Sequence, residues 1–339
     1  MNFDLSGDQL AIRNAVAEVG ADFDDDDWLR KDREGGFPED FYRAMAKAGW
    51  LGIAMPTAYA GSGLGISEAC RMMETVSGSG AGLSGASAIH MNVLGLHPVV
   101  VYGSDEQKRR WLAPVINGEA KACFGVTEPD TGLNTLKLKT MAVRKGDKYV
   151  VNGQKIWLST AQVAHKILLL ACTTPIDEVT SPSRGLSLFY TDLDRSKIEV
   201  HEIEKLGRNA VDSNQLFMDG LEIPVADRVG EEGCGFEYIL HGMNPERALL
   251  ATEAVGLGRL ALRRAAKYAE KCMVFDRPIG NNQRIQHRWL NAGWTWKPAP
   301  CFISVPPGSM TRVALAARKR TRPSSFAPKP ATAPARPPC

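Results

Sequence analysis

The chain has 339 residues, of which 44% are apolar and 23% charged, and a formal net charge of +3. That length allows two or three domains around a large buried core, and the balance is that of a soluble globular protein, not a fibrous or disordered one. Apolar runs such as 167–172 are far too short to span a bilayer, and the N-terminus MNFDLSGDQL has neither a basic n-region nor an apolar h-region, so a cytoplasmic protein is expected.

Residues 1–118 read as a helical domain. Ser6 and Gln9 form a capping box ahead of Ile12, Val16, Val19 and Phe23, which recur at helical spacing. A second helix is expected from about Pro38, with Phe41, Met45 and Ala48 on one face and Gly49 as its stop. The acidic run 24–27 reads as a solvated helix flank. Residues 119–228 change period. Lys145-Gly146-Asp147-Lys148 is a hairpin turn between strands at 141–144 and 149–152. Further short strands are expected at 166–172, 186–191, 198–203 and 215–219, a spacing that suits a β-barrel or sandwich. From Gly235 to about Lys271 the helical period returns, with Leu250, Ala254, Leu257 and Ala261 on one face and Asn244-Pro245 interrupting it as a cap or kink. The fold class is therefore α+β multidomain: an N-terminal helical domain, a central β domain, and an incomplete C-terminal helical bundle at 229–287.

Composition breaks near His287. Residues 288–339 hold nine Lys/Arg, no Asp/Glu and half of the chain's twenty prolines, leaving a net charge of −6 on the residues before them. Such a Pro-rich basic tail is expected to be disordered and unable to continue the preceding helix. Seven scattered cysteines, without a C-x-x-C pair, and six dispersed histidines offer neither a disulfide framework nor a metal site. Gly80-Ala81-Gly82-Leu83-Ser84-Gly85 satisfies G-x-G-x-x-G, with Asp105 twenty residues on, but it follows a helical segment and not a strand, so the dinucleotide-binding context fails. The basic tail has no nucleic-acid module beside it.

The chemistry concentrates in residues 123–160. A small-residue turn carrying Thr127 and Gly132 is followed, one hairpin later, by Trp157 and Ser159. Backbone amides and hydroxyls can satisfy the heteroatoms of a flat, polar-edged ring, an indole can cover it, and glycine lets the main chain approach closely. Taken singly, a Trp is usually core and a strand-end Ser a cap; the joint spacing with Thr127 carries the signal.

This stretch resembles the flavin-binding signature of the acyl-CoA dehydrogenases, in which T-E-P-x-x-G is followed by N-G-x-K-x-W-[ILV]-[ST], and further matching segments run from Met1 to about His287. The resemblance implies FAD as cofactor, an acyl-CoA substrate, electron-transfer flavoprotein as acceptor, and a homotetramer. It places Phe124, Val126 and Thr127 at the pyrimidine side of the ring and Gly132 near the pyrophosphate. Trp157 flanks the ring and Ser159 donates to its N5. Leu133 falls where the family has a hydroxyl for the phosphate, and lies between cofactor and substrate. Phe275 and Gln283, within VFDRPIGNNQ, match positions that reach the FAD of a neighbouring subunit. Just before them, Cys272 stands where relatives usually have Arg, and a thiol cannot replace a guanidinium at a pyrophosphate, which weakens FAD retention.

Oxidation of an acyl-CoA requires a carboxylate to take the weakly acidic α-proton while hydride leaves the β-carbon. Most family members carry that base on a late loop; a second branch places it in the helix after the β domain, in a pattern like [LMN]-x-x-E-R. Met243-Asn244-Pro245-Glu246-Arg247 matches that branch. On spacing alone Glu246 reads as an exposed helix-start carboxylate; the resemblance makes it the base, with Asn244 and Arg247 lining the substrate site. Relatives continue past I-Q-H with a segment like P-L-A-E-x-W-M-x-L-E-A, and RWLNAGWTWKPAP can be back-translated so that a one-base shift reads PLAERWMDLEAG. A single-base deletion near codon 288 is therefore expected to have produced the tail. The competing readings are an inactive remnant of such an enzyme, or a flavin oxidase or monooxygenase of the same superfamily.

Overall fold

The structure, a computed structural model, describes residues 5–296. It opens with helix α1 (Gly7–Ala21), whose capping box is made as expected: Gln9 N donates to Ser6 Oγ over 3.2 Å and Ser6 N to Gln9 Oε1 over 3.4 Å. Ile12 and Val16 are buried, with Val19 and Phe23 packed against the same cluster. The acidic run is more than a solvated flank. Asp24 accepts from the amides of Asp26 and Asp27 and caps an additional helix, α2 (Asp25–Glu34). Three aspartates in its first turn and Lys31 and Arg33 in its last complement the helix dipole. Only Trp28 of α2 is buried, so the segment carries no apolar stripe to betray it. The helix expected from Pro38 is α3 (Glu39–Lys47); Phe41 and Met45 are fully buried, whereas Ala48 lies past the last turn and is exposed. Gly49, at φ +79°, ends the segment in the left-handed region.

Helices α4 (Ile66–Gly78), α5 (Gly82–Leu94), α6 (His97–Tyr102) and α7 (Asp105–Ile116) complete the N-terminal unit. The Gly80–Gly85 motif spans the turn from α4 into the first turn of α5 and has no strand before it.

The central unit is an eight-stranded sheet. It is built from β1 (Ala122–Gly125), β2 (Met141–Lys145), β3 (Lys148–Ser159), β4 (Lys166–Cys172), β5 (Leu186–Asp192), β6 (Ile198–Glu202), β7 (Ser213–Pro224) and β8 (Arg228–Val229), in the order β6-β7-β3-β2-β4-β5-β8 with β1 parallel to β4. The hairpin at 145–148 forms, and β3 and β7 run well past the short strands expected there. Strand β4 instead keeps its expected bounds: Ile167, Leu169 and Ala171 enter one apolar cluster while Leu168, Leu170 and Cys172 enter another. A strand covered on both faces reads as an unbroken apolar run. The second cluster also takes Trp111 and Leu112 of α7, so the sheet docks on the helical unit through it.

Helix α8 (Gly235–Lys271) is continuous through Pro245, so the expected interruption there is not a cap. Its middle lies against α4 with no room for a side chain: a Cβ on Gly256 would sit 2.1 Å from Ser77 Oγ and 2.2 Å from Glu74 O. Beside that crossing, Glu74 pairs with Arg71 at 2.7 Å and with Arg259 of α8. A small hairpin, β9 (Met273–Val274) and β10 (Arg277–Pro278), leads to α9 (Gln283–Trp296). Contrary to expectation, α9 carries helix past Arg288 to Trp296; the rest of the tail lies outside the described residues. Among the described residues no helix is long and apolar enough to cross a membrane.

Candidate active site

Strand β1 delivers Phe124, half-buried, and Val126, buried, to the turn that carries Thr127. Five hydrogen bonds fix that turn. Lys155 of β3 donates to Val126 O at 3.0 Å and to Glu128 Oε1 at 2.8 Å. Glu128 also accepts the amides of Lys139 and Thr140, at 2.6 and 3.0 Å. Ile156 N donates to Thr127 O at 2.9 Å, which sets Thr127 beside the residue that precedes Trp157. Burial draws the Lys155 ammonium down to about 8 despite the neighbouring carboxylate. Burial pushes Glu128 upward, but the Lys155 charge and the donated hydrogen bonds outweigh it and hold this carboxyl below its ordinary value. Beyond Glu128 the loop opens out: Gly132, Leu133 and Asn134 are exposed, and nothing lies within 4 Å of where a Gly132 Cβ would stand.

Trp157 occupies a break in the β3–β7 register, between the pairs Ile156–Gln215 and Leu158–Asn214. The extra residue has φ +66°, and its side chain is 64% exposed. A bulge of this kind re-aims a side chain away from the ladder, at a cost of roughly 1–2 kcal/mol for a non-glycine residue in the left-handed region. The indole is thereby held out of the core on a strained backbone. Ser159, two residues on, is half-buried and pairs with Ser213. Thr160, also left-handed at φ +70°, is held by Asp212, which accepts both its amide and, at 2.7 Å, that of Gln162. The Thr160 hydroxyl is buried and has no hydrogen-bond partner among the described residues.

On α8, Glu246 is partly exposed and faces His90 of α5, its Oε1 3.6 Å from Nε2. The other ring nitrogen, Nδ1, lies 3.1 Å from Oε1 of buried Glu253, two turns further along α8. Burial works against the His90 cation, but the hydrogen bonds and charges of Glu246 and Glu253 prevail and lift it to about 9. Helix α5 also reaches the sheet: Asn92 Oδ1 accepts the amide of Ala122, two residues before Phe124, at 3.2 Å. Met243, one turn before Glu246, packs against the cluster that contains Val126. Arg247 is engaged by Asn244 at 2.5 Å, and both are exposed.

The remaining carried-over residues lie apart. Phe275, 90% exposed at φ +52°, forms with Asp276 the two-residue turn of the β9–β10 hairpin, and Gln283 is the exposed first residue of α9. The residues that sequence reasoning left without a role are Glu128, Lys155, Asp212 and His90. A Lys in the middle of a buried strand, with a Glu in the facing turn, was the readable signal for the first two; His90 and Asp212 show their partners only in space.

Residues 6–119, 123–221 and 233–294 match the N-terminal, middle and C-terminal domains of acyl-CoA dehydrogenases, respectively. The chain is 30% identical over 289 residues to the acyl-CoA dehydrogenase fadE12 of Mycobacterium bovis, an alignment covering 84% of this chain and 72% of that one. It is 31% identical over 293 residues to the glutaryl-CoA dehydrogenase of Desulfococcus multivorans, covering 84% and 73%. A solved glutaryl-CoA dehydrogenase in complex with glutaryl-CoA superposes with a TM-score of 0.82 at 28% identity, over 89% of this chain and 76% of that one.

Proposed function

The chain belongs to the acyl-CoA dehydrogenase family, and from that premise we propose that it oxidises an acyl-CoA thioester to the trans-2-enoyl-CoA, with Glu246 as the base that removes the α-proton. FAD, the cofactor of this family, supplies the hydride acceptor when bound. The residues present suit a flavin. The turn at Val126 and Thr127 is rigid, the Trp157 indole stands clear of the core, and the Thr160 hydroxyl is buried with no hydrogen-bond partner among the described residues. Phe124, Val126, Thr127, Trp157 and Ser159 would hold the ring, and the open segment at Gly132 and Leu133 would meet the phosphates. The observation that carries this reading is the bulge at Trp157, locked one residue from the Thr127 hydrogen bond.

Glu246 has what a base needs: a partly exposed carboxylate on a long helix, faced from one side by His90 at 3.6 Å. Asn244 and Arg247, paired and exposed, would border the substrate. Electron-transfer flavoprotein is the acceptor this reading implies, and a second copy of the chain would bring Phe275 and Gln283 to the cofactor.

The test is to purify the full chain, record its visible spectrum, and titrate it anaerobically with acyl-CoAs of graded length. A yellow protein bleached by one of them, and turning over with electron-transfer flavoprotein, is the expected result. A specific observation favours the second reading, an inactive remnant: Tyr268, Phe275 and Leu290 are exposed around the end of α8 and on α9. That reading predicts a colourless, aggregation-prone protein.

A further inference from the structure

Glu253 is a carboxylate at 1% exposure that the proposed chemistry does not use. A buried charge without a partner is expensive, so its presence needs a reason. Glu246 and Glu253 are seven residues apart, two turns on one face of α8, and the His90 ring enters between them. Other carboxylates of the helical unit have their own cations: Glu74 of α4 pairs with Arg71 and Arg259, and Glu39 of α3 with Lys121 and Arg43. Among the described residues, the charged groups paired with the His90 ring are the two carboxylates of α8. Its Nδ1 contact, at 3.1 Å, is the tighter one, and its Nε2 contact, at 3.6 Å, the looser. Burial of the ring and of Glu253 fixes one end of the chain of contacts; the partly exposed Glu246 is the end that can respond to substrate.

We propose that His90 is a positioning residue for Glu246, its ring anchored at Nδ1 by Glu253 and directed through Nε2 to hold the Glu246 carboxylate in one orientation. The proposal rests on the reading of Glu246 as base. A Glu side chain has three rotatable bonds, and misplacing a reacting group by about 1 Å can cost about 100-fold in rate. With both ring nitrogens protonated, His90 donates to Glu253 through Nδ1 and holds Glu246 by charge through Nε2. A neutral ring keeps a single N–H and must release one of them. When Glu246 accepts the substrate proton, the His90–Glu253 pair remains closed, so the cation is not left unpaired.

Two measurements on the full chain test this. Ring-nitrogen NMR of the purified protein, with or without flavin, is expected to show His90 as a doubly protonated ring at neutral pH. Its titration midpoint should fall in Glu246→Gln and in Glu253→Gln. Stopped-flow flavin reduction by an acyl-CoA, in FAD-loaded protein, should fall about 10- to 100-fold in His90→Gln with half-saturation unchanged. The alkaline fall in rate expected of the parent should be absent from that variant. Glu253→Gln preserves shape and an Nδ1 acceptor; it should lose less, with its alkaline limb moved to lower pH. Thermal melts confirm that each variant folds. A neutral His90 ring, or full flavin reduction in a folded His90→Gln, overturns the positioning role while leaving Glu246 as base. Full flavin reduction in Glu246→Gln overturns the base, and the positioning role with it.

Discussion

Lys155 Nζ lies 2.8 Å from Glu128 Oε1 in a setting where the lysine side chain is 0% and the glutamate 3% exposed. The pair joins β3 to the turn that carries Thr127, so the rigidity of that turn, the proposed flavin edge, depends on it. Lys155→Met removes the cation and leaves Glu128 buried among amide donors alone. Breaking a buried pair from one side costs about 3–5 kcal/mol. Urea denaturation should show a midpoint shift of that size, accompanied by loss of bound flavin; a change below about 1 kcal/mol would contradict the role assigned to the pair.

Trp157 predicts an opposite balance. Its left-handed backbone suits glycine, so Trp157→Gly relieves strain while removing the indole. Stability should change by less than about 1 kcal/mol in either direction, because the relief is offset by the freedom glycine gains in the unfolded chain. Flavin occupancy, read from the visible to ultraviolet absorbance ratio, should fall sharply. A large loss of stability with flavin retained would mean that the indole serves the core.

At Gly256 the constraint is space. Gly256→Ala puts a methyl within 2.2 Å of Glu74 O and 2.1 Å of Ser77 Oγ, so α8 must move away from α4. Overpacking of this kind costs about 1–3 kcal/mol, read as a lowered denaturation midpoint. Because Glu246 and Glu253 ride on the same helix, the His90 titration should shift as well. An unchanged midpoint would show that the helix crossing is looser than the contact distances state.

Stability should also depend on pH through His90. The folded chain raises its pKa from 6.5 to about 9, because the pairing with Glu246 and Glu253 outweighs burial. The stabilisation is therefore complete below pH 6.5 and is lost as pH rises through about 9. The difference in unfolding free energy between the parent and His90→Gln should shrink by up to about 3 kcal/mol across that window. A difference that stays flat, or grows with pH, would contradict the pairing.

How far the sequence could be read follows from where each signal resides. Strand β4 was legible to the residue, since both its faces are covered and its apolar run is unbroken. Helix α2 was not, because a single buried side chain, Trp28, leaves no periodicity to detect. Pro245 suggested an interruption, yet α8 runs through it. The composition break at His287 suggested an end to helix, yet Arg288, Trp289 and Leu290 lie within α9. At the site, Thr127 and Trp157 could be picked from their joint spacing. The bulge that turns Trp157 outward could not, since register is a property of two strands. His90 was invisible for the same reason: its partners lie on a helix more than a hundred residues away.

The single most direct measurement compares the parent with Glu246→Gln, both purified and loaded with FAD to equal occupancy, in anaerobic stopped-flow reduction by a saturated acyl-CoA. Removal of the proposed base should slow flavin bleaching by about 100- to 10,000-fold while leaving the oxidised spectrum and substrate binding in place. Bleaching of Glu246→Gln at the parental rate would contradict the assignment of the α-proton to Glu246.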